Sequence, residues 1–195
     1  VALAGRPLYQ WSLEALQEAE SVGPVVIAFP DGVDEELPVG ARAVAGGATR
    51  SASVANAVAL IGEAELIVIH DAARPLVTPE LVDACLDKLV EDPDADGVIA
   101  AVPISDTVKR ATAHTITATE DREHLWAAQT PQVFRAEPLR QALAADPKRT
   151  AAATDEAMLV EKDGGKVLIE PASAENLKVT TPTDLRLAEL LLRSR

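Results

Sequence analysis

Short apolar runs alternate along this chain with segments that carry helix-start signals, and that alternation limits the fold more than any single motif does. Pro24 to Phe29, Leu66 to Ile69, Gly97 to Val102, Lys166 to Ile169 and Leu177 to Val179 read as buried strands. Between them, Thr78-Pro79-Glu80-Leu81 offers a capping hydroxyl followed by a proline suited to the first helical turn, and Thr181-Pro182 repeats the device. A helix over 154–163 would be capped by Thr154 and stopped by Gly164-Gly165, turning Ala157, Leu159 and Val160 to a core. The pattern predicts an α/β fold: a mostly parallel sheet with helices on both faces and ligands at the carboxyl ends of the strands.

One stretch breaks the rhythm. From Asp106 to Thr119 the residues alternate with a period of two, which predicts a two-stranded excursion over about 106–120. An isolated hairpin is marginal in water, so such a protruding β-arm is expected to pack on a second subunit and make a dimer. The 195 residues, 48% of them hydrophobic, suffice for one sizeable core, so residues 1–195 are read as a single domain. Cys85 stands alone, no disulfide can form within the chain, and a reducing compartment, the cytoplasm, is expected. No apolar run reaches the roughly 20 residues that cross a bilayer, and no basic-then-apolar leader opens the sequence, so no membrane is expected. A formal charge of −13 repels polyanions and argues against nucleic acid as a partner. In so acidic a chain, each local knot of cations points to something negative.

The sharpest knot is His70-Asp71-Ala72-Ala73-Arg74-Pro75, directly after the apolar run ending at Ile69. An acid and an arginine at a strand's carboxyl end can hold a divalent cation or sugar hydroxyls together with a phosphate; a loop salt bridge is the alternative. Gly46-Gly47-Ala48-Thr49-Arg50-Ser51-Ala52-Ser53 lies between a strand and a helix beginning near Arg50. Its glycines let backbone amides approach an anion or a base, with Ser53 on the first turn, although an ordinary glycine turn has the same signature. Thr107, Lys109, Arg110, Arg122 and Thr130 surround the arm with hydroxyls and cations, which suit a phosphate or simply a solvated edge. Lys178 falls inside an otherwise apolar segment, a costly place unless its ammonium meets an anion or escapes to water. Trp126 and Phe134 read as core or interface anchors. His114, His124 and Cys85 have no partner at metal-ligand spacing, and Thr154-Asp155-Glu156 reads as a cap with acids that suit the helix dipole.

In this order, His-Asp-Ala-Ala-Arg-Pro, Asp-Thr-Val-Lys-Arg, Gln-Thr-Pro-Gln, Thr-Asp-Glu-Ala and Asn-Leu-Lys-Val-Thr resemble the 2-C-methyl-D-erythritol 4-phosphate cytidylyltransferase family of the isoprenoid pathway, over nearly the whole chain. The resemblance implies a Rossmann-like nucleotidyltransferase fold and a homodimer whose arms complete each other's sites. It implies that CTP, accompanied by Mg2+, reacts with methylerythritol 4-phosphate and releases pyrophosphate. Gly47 and Ser53 would contact the cytidine, and Asp71 and Ala72 would lie near its ribose and the reacting phosphates. Arg74 and Thr154 would line the second-substrate pocket, Thr107, Arg122 and Thr130 would reach it from a partner subunit, and Lys178 would touch the phosphates. Asp71, Lys178 and Arg122 are the implied catalytic residues, and no metal ligand is assigned. Ala48 stands where the family carries an acid, so no side-chain role transfers there.

The family's first strand, glycine-rich loop and Pro-Lys pair have no counterpart before Arg6-Pro7-Leu8-Tyr9-Gln10. The expectation is that these belong before Val1 and that the slightly short stretch between Arg110 and Arg122 hides a second gap; an intact mass of 20.5 kDa would contradict it. A ribitol 5-phosphate cytidylyltransferase and a non-catalytic nucleotide-binding homologue are the competing readings.

Overall fold

The structure, a computed structural model, describes residues 1–33 and 35–194. A short hairpin, β1 (Ala2–Leu3) and β2 (Arg6–Pro7), leads into helix α1 (Leu8–Glu18). Strands β3 (Val25–Phe29) and β4 (Ala41–Ala45) pair in parallel, and α2 (Arg50–Ile61) follows. Next come β5 (Leu66–Ile69), α3 (Pro79–Glu91) and β6 (Gly97–Pro103), then β7 (Lys109–Thr112), β8 (Thr115–Thr119) and β9 (Trp126–Arg135). The chain closes with α4 (Ala136–Ala145), α5 (Pro147–Ala151), α6 (Glu156–Lys162), β10 (Val167–Pro171) and α7 (Pro182–Ser194).

The main sheet has the order β10-β6-β9-β5. β10 is parallel to β6, whereas β9 runs antiparallel to both β6 and β5. β10, β6 and β5 therefore run in one sense, as the strand–helix alternation predicts, and β9 alone runs against them. No crossover helix separates β6 from β9: the chain leaves β6, makes the β7–β8 hairpin and returns, so the strands run in opposite senses.

Side chains alternate across the sheet, and each set meets helices. Val98, Ala100 and Val133 face α3, whose Val82, Cys85, Leu86 and Leu89 are buried against them. Ile67, Ile69, Ile99 and Phe134 face the other way, onto Val58, Leu139, Leu159 and Val160. Phe134 is fully buried, and side chains of that size contribute about 1.5–3 kcal/mol each on burial. Gly97 makes room for it: a Cβ there would stand 2.5 Å from the phenyl ring. A third cluster joins Leu3 and Leu76 to Ala188 of α7, with Leu177 and Val179 packed on it.

Local expectations fare unevenly. Thr78 caps α3, its Oγ1 accepting from the Leu81 amide. Helix α6 starts later than predicted: Asp155, not Thr154, is its cap and accepts from the Met158 amide at 3.0 Å. Leu177 to Val179 is not a strand; Val179 N donates to Ala73 O at 2.7 Å, and the apolar pair is partly buried by packing rather than by a ladder. Trp126 is 37% exposed, so of the two aromatics only Phe134 is a core residue. The hairpin forms over 109–119 with every residue exposed, and turns through Ala113 and His114, both at positive φ.

Among the described residues, β3 pairs only with β4 and β5 only with β9, so each keeps a free edge. An apolar cleft of about 700 Å³ lies between them, walled by Val25 to Ala28 on one side and Leu66 to Ile69 on the other.

Candidate active site

The apolar cleft is not where the charges gather. Arg50, Asp71, Arg74 and Lys178 line a smaller one of about 220 Å³, together with Gln129, Thr130, Gln132, Thr154 and Asp155. Arg50 and Asp71 also border the apolar cleft and so stand between the two.

Asp71 is the hub. β5 ends at Ile69 and delivers it to the sheet's rim, where Arg50 Nε donates to Oδ1 at 2.8 Å and Lys178 Nζ to Oδ2 at 2.9 Å. Arg74 Nε stands 3.8 Å from Oδ2, too far for a hydrogen bond. Burial pushes the carboxyl's pKa upward, but the charges and hydrogen bonds of Arg50 and Lys178 prevail and hold it at about 2. Asp71 is thus an anion clasped by cations.

Arg74 is aimed by backbone acceptors. Its Nη1 donates to Asn176 O at 2.8 Å, and its side chain is only 11% exposed. Burial lowers its pKa; Asp71 raises it and Arg50 lowers it further. The Asn176 amide donates to Gln129 Oε1 and Thr130 O, each at 2.8 Å, joining the segment before Lys178 to β9. Lys178 therefore projects from a loop rather than a strand. Its ammonium resolves the cost expected of an apolar setting by reaching an anion, Asp71, with the side chain 40% exposed.

Gly47 and Ser53 meet at the turn into α2. Gly47 N donates to Ser53 Oγ at 3.0 Å, and that hydroxyl donates to Thr49 O at 3.1 Å. Thr49 Oγ1 caps the helix by accepting from Ala52 N. A Cβ at Gly47 would stand 2.4 Å from that of Ala52, so only glycine lets the loop close this tightly. Ser53 borders the apolar cleft. Ala72 is exposed beside Asp71.

Thr154 lines the smaller cleft beside Arg74. Thr130, expected from a second subunit, lines the cleft of its own chain and is 3% exposed. Thr107 and Arg122 are exposed at the base of the hairpin and outside that cleft. Lys109 and Arg110 are engaged within the arm, with Thr119 at 2.6 Å and Glu120 at 2.7 Å.

Sequence reasoning missed Arg50 and Glu156. Glu156 is completely buried and accepts from Arg50 Nη1 through Oε2. Burial lowers the Arg50 pKa, but Glu156 and Asp71 outweigh it and leave it raised. Arginine at the first position of a helix opposes the dipole, and that misfit is the signal that could have exposed the pair. Gln132, 1% exposed, adds a bond from Nε2 to Asp155 Oδ2 at 3.0 Å.

The family model described as 2-C-methyl-D-erythritol 4-phosphate cytidylyltransferase (IspD) matches residues 1–194. A curated protein of that name from Synechococcus sp. (strain WH7803) is 39% identical over 100% of this chain and 90% of its own length. Another, from Deinococcus radiodurans, is 44% identical over 98% of this chain and 80% of its own. The crystal structure of 2-C-methyl-D-erythritol 4-phosphate cytidylyltransferase from Thermus thermophilus superposes with a TM-score of 0.87 at 33% identity, covering 98% of this chain and 92% of that one. The Francisella tularensis structure of the same name gives 0.86 at 27% identity, covering 96% and 88%. With its cations gathered on one ionised aspartate at the rim of an α/β sheet, the chain belongs to the 2-C-methyl-D-erythritol 4-phosphate cytidylyltransferase family.

Proposed function

We propose that the protein transfers a cytidylyl group from CTP to 2-C-methyl-D-erythritol 4-phosphate, giving 4-diphosphocytidyl-2-C-methyl-D-erythritol and pyrophosphate. One observation supports the chemistry best: Arg50, Arg74 and Lys178 converge on Asp71 in a single cleft of about 220 Å³, in a chain whose overall net charge is −13. The substrate's phosphate oxygen, already an anion, attacks the α-phosphorus of CTP. A P–O bond forms on one side, the bond to the β-phosphate's bridging oxygen breaks on the other, and its electrons leave with pyrophosphate. No general base is required. The protein must hold two anions in line and offset the charge that builds between them, which is work for fixed cations.

Lys178 and Arg74 are the groups for this, because their donors face the cleft while Asp71 and the Asn176 carbonyl restrain them. Thr154 would bind the second substrate beside Arg74, and Thr130 would line its pocket. Gly47, Ser53, Asp71 and Ala72 would serve the nucleotide. Mg2+ enters on CTP as part of the substrate and spreads the triphosphate's charge. Thr107 and Arg122 lie outside their own cleft at the base of an arm whose strands are exposed, a placement that suits delivery of Arg122, as a further catalytic cation, into a second copy's site in a homodimer. The reaction is assigned to the cytoplasm and to one nucleotidyltransferase domain. The free edges of β3 and β5 support one more strand between them.

Phosphorus NMR of CTP, Mg2+, methylerythritol phosphate and the protein tests the transfer. A diphosphate diester appearing in step with pyrophosphate is expected; CTP and the monoester persisting unchanged would refute it.

A further inference from the structure

His70 has no part in the reaction as written, yet both of its ring nitrogens are spoken for. Nε2 lies 3.1 Å from the carbonyl oxygen of Arg74, an obligate acceptor, so Nε2 carries the proton. Nδ1, 2.9 Å from Thr130 Oγ1, is then bare in the uncharged ring and accepts from that hydroxyl. The hydroxyl's lone pair in turn accepts the Asp71 amide at 3.0 Å. The sequence of donors is Asp71 N–H to Thr130 Oγ1–H to His70 Nδ1, and separately His70 Nε2–H to Arg74 O. Burial of the ring lowers its pKa to about 4, against weaker upward pulls from the Arg74 carbonyl and Asp71, which agrees with an uncharged ring carrying this pattern.

The Asp71–Arg74 turn is thereby held at both ends. It closes on itself through Arg74 N donating to Asp71 O at 2.8 Å, and Ser12 Oγ adds a 3.2 Å bond to the same Arg74 carbonyl. Reversing the histidine tautomer would leave the Arg74 carbonyl without its ring donor and make Thr130 Oγ1 accept from the ring as well as from the Asp71 amide, turning the hydroxyl hydrogen away from the ring.

We propose that His70 is a positioning residue for cytidylyl transfer, whose Nε2-protonated ring orients the Thr130 hydroxyl to hold the Asp71 backbone while gripping the Arg74 carbonyl, so that the acid and the phosphate-binding arginine keep a fixed separation. The inference rests on the proposed reaction, and its two grips can be removed one at a time. In His70→Asn, the amide oxygen takes the place of Nδ1 and the donor to Arg74 is lost. In His70→Gln, an N–H takes the place of Nε2 and the acceptor for Thr130 is lost.

The experiment combines nitrogen NMR of the imidazole in the wild-type protein with steady-state kinetics of the two variants. The wild type should show an Nε2–H tautomer. His70→Asn should raise KM for methylerythritol phosphate about tenfold with kcat within a few-fold of wild type, as expected for loss of one hydrogen bond at Arg74. His70→Gln should lower kcat by about a hundredfold with little change in KM, as expected for a displaced Asp71. An Nδ1–H tautomer overturns the proposal, as do variants whose losses are alike in both constants, which a residue needed only for folding would give. A wild type that turns nothing over would refute the reaction instead, and the tautomer would still be read.

Discussion

Replacing Arg50 by methionine strands a charge inside the protein. Glu156 is 0% exposed, its Oε2 bonds only to Arg50, and its Oε1 has no hydrogen-bond partner among the described residues. Removing one member of a buried pair costs about 3–5 kcal/mol, because the partner stays buried and uncompensated. Asp71 loses a bond as well but keeps Lys178 at 2.9 Å and is 13% exposed, which adds about 1 kcal/mol. A loss of about 4–6 kcal/mol corresponds to a fall in Tm of about 8–24 °C for a chain of this size. Urea titrations with an unchanged m-value measure it directly. Adding Glu156→Gln to Arg50→Met removes the stranded charge while keeping the shape, and the double variant should recover about 2 kcal/mol. A loss under about 1 kcal/mol, or a double variant no more stable than the single one, would refute the assignment of Arg50 as the buried acid's counter-ion.

Lys178→Ala should lower kcat at least about a hundredfold, as loss of a transition-state cation does, with little change in Tm because the side chain is 40% exposed and Asp71 retains Arg50; turnover within a few-fold of wild type would argue against its role. Gly97→Ala should destabilise by about 1–3 kcal/mol through overpacking against Phe134, and Phe134→Leu in the same chain should relieve part of it in urea titration; equal losses in the two proteins would contradict this. His70 stays uncharged in the fold down to about pH 4, whereas an unfolded histidine protonates near 6.5. The unfolded chain therefore binds more protons in that interval, and stability falls by up to about 3 kcal/mol as pH drops from 6.5 to 4. Asp71 acts lower, its contribution present above its unfolded pKa near 3.8 and lost as pH falls through about 2. Thermal melts should show a steeper loss between pH 6.5 and 4 in the wild type than in His70→Asn; parallel curves would exclude His70 as the cause.

Elements whose signals are local were legible in the sequence. β5, β6 and β10 announce themselves as apolar runs, and Thr78-Pro79 marks the start of α3. β9 was not, since the sequence reading places no strand over 126–135, nor was its orientation, because antiparallel pairing follows from how the chain returns after the β7–β8 hairpin and a connection leaves no periodicity of its own. Leu177 and Val179 were misread because burial against Leu3, Leu76 and Ala188 selects the same apolar residues as a strand does. In the site, Asp71 and Lys178 stood out by type and setting, and their contact joins residues far apart in the chain. Glu156 was hidden behind an ordinary explanation: an acid in a helix's first turn suits the dipole whether it faces water or the core. His70 was visible as a residue, but its part depends on the Thr130 hydroxyl, which reaches it only through the fold.

The most direct test of the assigned reaction is pyrophosphate release by the protein with CTP and Mg2+, offered methylerythritol 4-phosphate and ribitol 5-phosphate side by side. Release with the first and none above background with the second is the expected result; release with ribitol 5-phosphate alone, or CTP binding without release from either, would contradict it.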